Sequence, residues 1–216
     1  MLRLCLLLIA LSSHAVASCP HLYPQQTPIY PRGTVELCND RYVVVYNERL
    51  RTPISASELI EITGHVVKRK DSFHSDRRVI NPVQPADYFK TGMDRGHLVP
   101  ADNSISAHQM YESFLMTNMA PQHPKLNRGP WRALEQRTQQ YAALYDSTIY
   151  AITGVLFTQP RTINGVATPS HWYKIVYLPT HTKAYIAENT ASGTVQQTTV
   201  SNLNQLSGIT FPLYAK

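Results

Sequence analysis

Asp94, Arg95, Gly96 and His97 follow one another directly, placing a carboxylate, a guanidinium, a permissive backbone position and an imidazole within one short turn. A second segment, Phe114 to Glu135 (FLMTNMAPQHPKLNRGPWRALE), adds the carboxamides of Asn118 and Asn127 and the carboxylate of Glu135. These are hard oxygen donors of the kind that hold Mg²⁺. An imidazole to take a proton, cations to face anionic oxygens and a hard-metal ligand set are together the equipment for cleaving a phosphodiester. His97 is the candidate general base, since only imidazole is close to neutral at working pH without tuning. Arg95 offers a planar guanidinium suited to a phosphoryl oxyanion, with a structural ion pair to Asp94 as its alternative role. Asp94 itself reads as structural.

Taken together, DRGH, then TNMAPQ, then Asn127, Trp131 and Glu135 at their spacing resemble the DNA/RNA non-specific endonucleases, the family of Serratia-type and endonuclease G-like nucleases with a ββα-metal core. The segments ITGVLF, TPSHWYKIVY, AYIAEN and LNQLSGITF carry the likeness over roughly Arg41 to Tyr214. The resemblance implies hydrolysis of DNA and RNA with little sequence preference, His97 activating water, and a single Mg²⁺, or Mn²⁺ in its place. It places Arg69, in KRKDSF, where the family touches the scissile phosphate, so Arg69 and Arg95 are assigned to catalysis and substrate binding. Asn118 is assigned to substrate binding and to ordering the site.

Asn127 is the implied metal ligand, with a helix N-cap as its competing role. Eight residues of regular α-helix advance about 12 Å and turn about 80° beyond two full turns. Asn127 and Glu135 therefore cannot both sit at the roughly 2.1 Å that Mg²⁺ requires. Asn127 is expected to ligate directly and Glu135 through water. Gln139 departs from the family, which often carries an Arg one turn beyond the Glu; Arg137 falls on a different side of the helix. His108 and His123 raise a zinc site, but no carboxylate or Cys/His partner stands at ligand spacing.

The rest of the chain must position these groups. Its 216 residues suit one domain with a substantial core. Residues 1–17 carry Arg3, an apolar run and small residues at Ala15 and Ala17, which reads as a secretory signal cleaved near Ala17, too short to span a bilayer. This predicts a secreted or periplasmic protein whose nuclease domain occupies 18–216. The remaining Cys19 and Cys38 are expected to form a disulfide. The net charge of +6 becomes +5 without Arg3, the only charged residue of that leader. Such an excess favours a polyanionic partner, and Lys68, Arg69, Lys70, Arg77 and Arg78 cluster just upstream of DRGH. A basic exported nucleic-acid-binding protein without activity is the alternative reading.

Arg41 to Tyr46 (RYVVVY) predicts a strand buried on both faces, and Thr52 to Val67 two short strands, with Ser57 to Ile62 open to a helical turn. Phe73 to Lys90, with Pro82 and Pro85, reads as a functional loop. Ser104 or Ser106 is expected to cap a helix reaching Leu115, and Pro130 to open a long helix to Asp146 with Trp131, Leu134, Tyr141 and Leu144 inward. Strands are expected over Thr148 to Phe157, His171 to Leu178 and Ala184 to Glu188, and a final helix over Thr199 to Leu206 before Gly208. That order predicts an α+β fold with mainly antiparallel sheet, an embedded ββα-metal motif and a long helix.

Overall fold

The computed structural model describes residues 19–29, 31–61 and 67–213. In chain order the strands are β1 (Val35–Cys38), β2 (Tyr42–Asn47), β3 (Thr52–Ile60), β4 (Asp94–His97), β5 (Met119–Gln122), β6 (Ile149–Leu156), β7 (Thr162–Ile163), β8 (Val166–Ala167), β9 (His171–Tyr177), β10 (Thr182–Glu188) and β11 (Gln196–Thr198). The helices are α1 (Ala107–Ser113), α2 (Pro124–Leu126), α3 (Arg132–Leu144) and α4 (Val200–Ser207). Seven strands make one antiparallel sheet in the order β1-β2-β3-β6-β9-β10-β11, and β4 pairs β5 as a separate ribbon. The fold is α+β, as expected.

Both faces of the large sheet are covered, which explains why RYVVVY does not alternate. Val44 packs into a core with Trp131, Leu134 and Trp172 on the α3 side. Its neighbour Val43 packs into a core with Leu22, Tyr23, Leu203 and Phe211 on the other. The second face is closed by α4, whose N-cap Thr199 accepts from Asn202 N and which ends at Gly208 in the left-handed region (φ 68). It is also closed by the segment around Pro20–Leu22, tied to β1 by the Cys19–Cys38 disulfide. Reduction is expected to lower stability by about 3 kcal/mol through released loop entropy. Melting with and without reductant checks this; identical curves would contradict it.

The site is carried by the β4–β5 ribbon and the helix after it. DRGH forms a strand rather than the expected turn: Asp94 pairs Gln122, Arg95 pairs Pro121 and His97 pairs Met119. Pro121 is tolerated because β5 pairs only with β4 and its other edge needs no ladder donor. Gly96 cannot be replaced cheaply. A Cβ there would run into Gln122 Oε1, come within 2.6 Å of Gln122 Cβ and 2.9 Å of the Trp172 ring. Gly96→Ala is therefore expected to cost about 1–3 kcal/mol as overpacking, read as a fall in the unfolding midpoint. An unchanged midpoint would show that Gln122 and Trp172 have room to yield.

Other expectations shift in detail. Thr52–Ile60 is one nine-residue strand with no helical turn at Ser57, while residues 62–66, where the second strand was expected, lie outside the described residues. Ser106, not Ser104, caps α1, accepting from Gln109 N. The long helix starts before Pro130: α2 runs into a π-type turn, Asn127–Trp131, and then α3. That turn absorbs Pro130, with Gly129 off helical geometry (φ −115, ψ −108). The inward stripe is Trp131, Leu134, Thr138 and Ala142, whereas Leu144 is exposed.

Candidate active site

A cleft of about 800 Å³ opens where the ribbon, the start of α3 and the loop over Phe73–Lys90 meet. Arg69, Arg95, His97, Asn127 and Glu135 all line it. Five candidates read from sequence are thus brought together from segments 66 residues apart.

His97 sits in an aromatic cage, edge-on to Phe114 at 5.1 Å and tilted against Phe73 at 5.8 Å. Arg95 lies over the Phe73 ring at 4.1 Å and Arg69 over Phe114 at 5.4 Å, so each cation is stacked on a wall of the imidazole's cage. Burial first, then the charges of Arg69 and Arg95, push the His97 imidazole down to about 3, with Asp71 pulling the other way. Neutral imidazole, the form that accepts a proton, is therefore the resting state. Nε2 is sealed from solvent and, among the described residues, makes no hydrogen bond.

Arg69 is tied to Asp71 at 2.8 Å and Asp102 at 3.3 Å, pairs about half exposed and hence weak enough to yield to a phosphate. Asp94 does not pair with Arg95. It accepts from Arg128 through Nε at 2.8 Å and Nη2 at 2.6 Å, and from Asn127 Nδ2 at 2.9 Å. Burial alone would raise the Asp94 carboxyl, but these donors hold it below the usual carboxylate range.

The helix-cap role considered for Asn127 is not what its side chain does here, since Nδ2 donates to Asp94. The residue is inside the helical run (φ −56, ψ −53) and its side chain caps nothing. With Nδ2 given to Asp94, Oδ1 has no hydrogen-bond donor among the described residues, and Asn127 lines the cleft. The π-type turn changes the relation to Glu135. Gly129 leaves helical geometry, so the roughly 80° offset of a regular helix does not apply between Asn127 and Glu135. Both line one cleft. Burial pushes the Glu135 carboxyl up to about 7; Lys174 pulls it down, and Glu58 and Asp102 push it up. A carboxamide oxygen and a carboxylate on the wall of one cleft are donors of the type a hard divalent cation takes.

Asn118 is not on the cleft wall. It is fully buried, accepting from Val99 N at 3.0 Å and donating to the carbonyls of Val99 and Ser113 at 2.9 Å. The substrate contact expected of it is corrected to positioning: its carboxamide fixes the chain leaving β4. The opposite wall, Ala101–Asn103, is pinned from behind by Asn103 Nδ2 donating to buried Glu58 at 2.9 Å. Gln139 donates to the Asp102 carbonyl at 3.3 Å, and Arg137 lines a separate groove beside Tyr185. His108 pairs with Glu112 and His123 caps α2, and neither lines the cleft. Arg128, Arg132, Phe73 and Asp102 line the cleft and went unread. Asp94 at the head of DRGH was the available signal for Arg128, as an acid in need of a partner.

The profile of the DNA/RNA non-specific endonucleases matches residues 21–215. This chain belongs to that family. Mitochondrial endonuclease G of Bos taurus is 32% identical over 157 residues, 63% of this chain and 52% of that protein. Nuclease C1 of Cunninghamella echinulata var. echinulata is 30% identical over 203 residues, 80% of each. A chain from the crystal structure of the EndoG/EndoGI complex superposes with a TM-score of 0.73 at 25% identity, covering 82% of this chain and 84% of that one. This member of the family spans about half the length of the endonuclease G proteins it matches.

The same relatives overturn the secreted or periplasmic assignment: the endonuclease G and EXOG proteins it resembles are named mitochondrial. Residues 1–17, with Arg3, Ser12 and Ser13 and no acidic residue, have features that organelle-import segments share with secretory ones, so composition does not separate the two addresses. Residues 1–17 and the cleavage site lie outside the described residues. Among the described residues no helix is long and apolar enough to cross a membrane.

Proposed function

We propose that residues 18–216 act as one nuclease domain that hydrolyses phosphodiester bonds of DNA and RNA, with Mg²⁺, or Mn²⁺ in its place, and little sequence preference. The observation that carries this reading is the cleft itself: a neutral imidazole caged between Phe73 and Phe114, stacked guanidiniums on both sides and an oriented Asn127 carboxamide opposite. Arg95 and Arg69 hold the non-bridging oxygens of the phosphate. His97 takes the proton of the attacking water as the phosphorus–oxygen bond to the leaving group breaks. Asn127 and Glu135 would hold the cation, which when bound supplies charge stabilisation at the phosphoryl and leaving oxygens. The cations lining the cleft among the described residues, Arg69, Lys90, Arg95, Arg128 and Arg132, suit a sugar–phosphate backbone, whose contacts carry no sequence information.

Cleavage below substrate saturation is therefore expected to slow steeply with salt, log rate falling linearly with log salt with a slope near the number of phosphates neutralised. Complete digests are expected to show no discrete fragments. A salt-independent rate or a fixed fragment pattern would reject backbone recognition. The alternative, a basic nucleic-acid binder without activity, predicts binding with the same salt slope and no cleavage at any Mg²⁺ concentration.

A further inference from the structure

The rim of the cleft carries a group that hydrolysis does not require. Phe89 is 70% exposed, yet it is neither at a chain end nor on a loose tip. Tyr88 beside it is buried with Val83, Met116, Met119 and Val166. The Pro85–Tyr88 turn is tied to Arg51 through Asp87 at 2.8 Å, and Asn164 Nδ2 donates to the Asp87 carbonyl at 2.8 Å. Beyond the ring, Thr91 donates to the Tyr88 carbonyl at 2.9 Å, while Lys90 and Gly92 both take left-handed backbone (φ 56 and 75) and turn the chain back. Lys90 is a lysine held in a conformation that glycine prefers, and its ammonium lies over the Phe89 ring at 5.2 Å. A large apolar ring is thus presented to water from an anchored loop, inside the same cleft as His97.

We propose that Phe89 and Lys90 form a clamp for single-stranded nucleic acid, in which an unpaired base stacks on the ring and the ammonium swings to the adjoining phosphate. Every base has a π-face, so such stacking is indifferent to sequence, while a base held in a duplex cannot leave its neighbours without unstacking. The clamp makes unpaired or locally melted strands the preferred substrate of the site proposed above, and it rests on that reading.

The test measures anisotropy of labelled single-stranded and duplex oligonucleotides of one sequence, with chelator present so that nothing is cleaved, followed by cleavage of the same oligonucleotides in Mg²⁺. Phe89→Ala is expected to weaken single-strand binding roughly 5- to 150-fold, the effect of losing one stacked base, and to lower the single-strand-to-duplex affinity ratio at least about fivefold. Phe89→Trp is expected to restore the ratio, which a variant that merely misfolds could not do. Lys90→Ala is expected to reduce the salt slope by about one. Equal losses on both substrates, or no change, would overturn the clamp. Wild-type protein that binds but cleaves neither substrate overturns the nuclease reading instead, so the two failures are distinguishable.

Discussion

His97→Ala is expected to lower kcat/KM on DNA and on RNA about 10²- to 10⁴-fold, the range for loss of a general base, while the protein stays folded. The ring's neighbours Phe73 and Phe114 also contact each other at 4.9 Å, so the cage keeps a wall when the imidazole is removed. A variant that keeps more than about a tenth of the rate at neutral pH would remove His97 from the chemistry. The pH profile adds a second, independent reading. Burial and Arg69 hold His97 near 3, so it is already neutral from mildly acid pH upward and does not set the acid limb. Glu135, raised to about 7 by burial, is expected to set it instead. Its carboxylate is present above that value and lost as pH falls through it, so at low Mg²⁺ the rate is expected to drop below about pH 7, and Glu135→Gln to flatten that limb. A limb near 6.5 that survives in Glu135→Gln would return the titration to the imidazole.

Asn127→Ala is expected to cost more than the roughly 10- to 100-fold typical of residues that act on a metal through another group, with little recovery as Mg²⁺ is raised. The substitution removes the Asn127 carboxamide oxygen from the cleft wall but leaves Asp94 paired with Arg128, so local structure is expected to be retained. Glu135→Gln keeps a hydrogen-bonding oxygen and loses only charge; its loss is expected to stay within that 10- to 100-fold range. Rate measured against Mg²⁺ for both variants separates direct from water-mediated ligation. An inactive Glu135→Gln beside an active but less stable Asn127→Ala would reverse the two roles.

Much of this site was legible because its residues are concentrated in two segments whose order in the chain is also their order in the ribbon and helix. Part of what sequence spacing missed comes from irregular backbone. The roughly 80° offset between Asn127 and Glu135 holds only for unbroken α-helix, and the helix is broken at Gly129-Pro130, with Asn127 and Glu135 both lining one cleft. DRGH reads as a turn because its residues are polar, yet it pairs as a strand with Met119–Gln122, a partner that lies more than twenty residues further along the chain. Phe73 and Phe114, the walls of the His97 cage, look like ordinary core residues in sequence, and only the long-range fold places them against an imidazole. Strands β2, β6, β9 and β10 of the large sheet were read within a few residues because both its faces are buried, and continuous β-branched and aromatic runs follow from that. The short β1, β7, β8 and β11 have no such pattern.

The most direct test of the central claim is to incubate the purified protein with supercoiled plasmid and with RNA, each with Mg²⁺ and with a chelator, beside His97→Ala. The cleft described above predicts that wild-type protein with Mg²⁺ reduces both substrates to an unresolved smear, while chelator or the His97 substitution leaves them essentially intact. Digestion that persists in chelator, or a wild-type protein that retards both substrates and cuts neither, would contradict it.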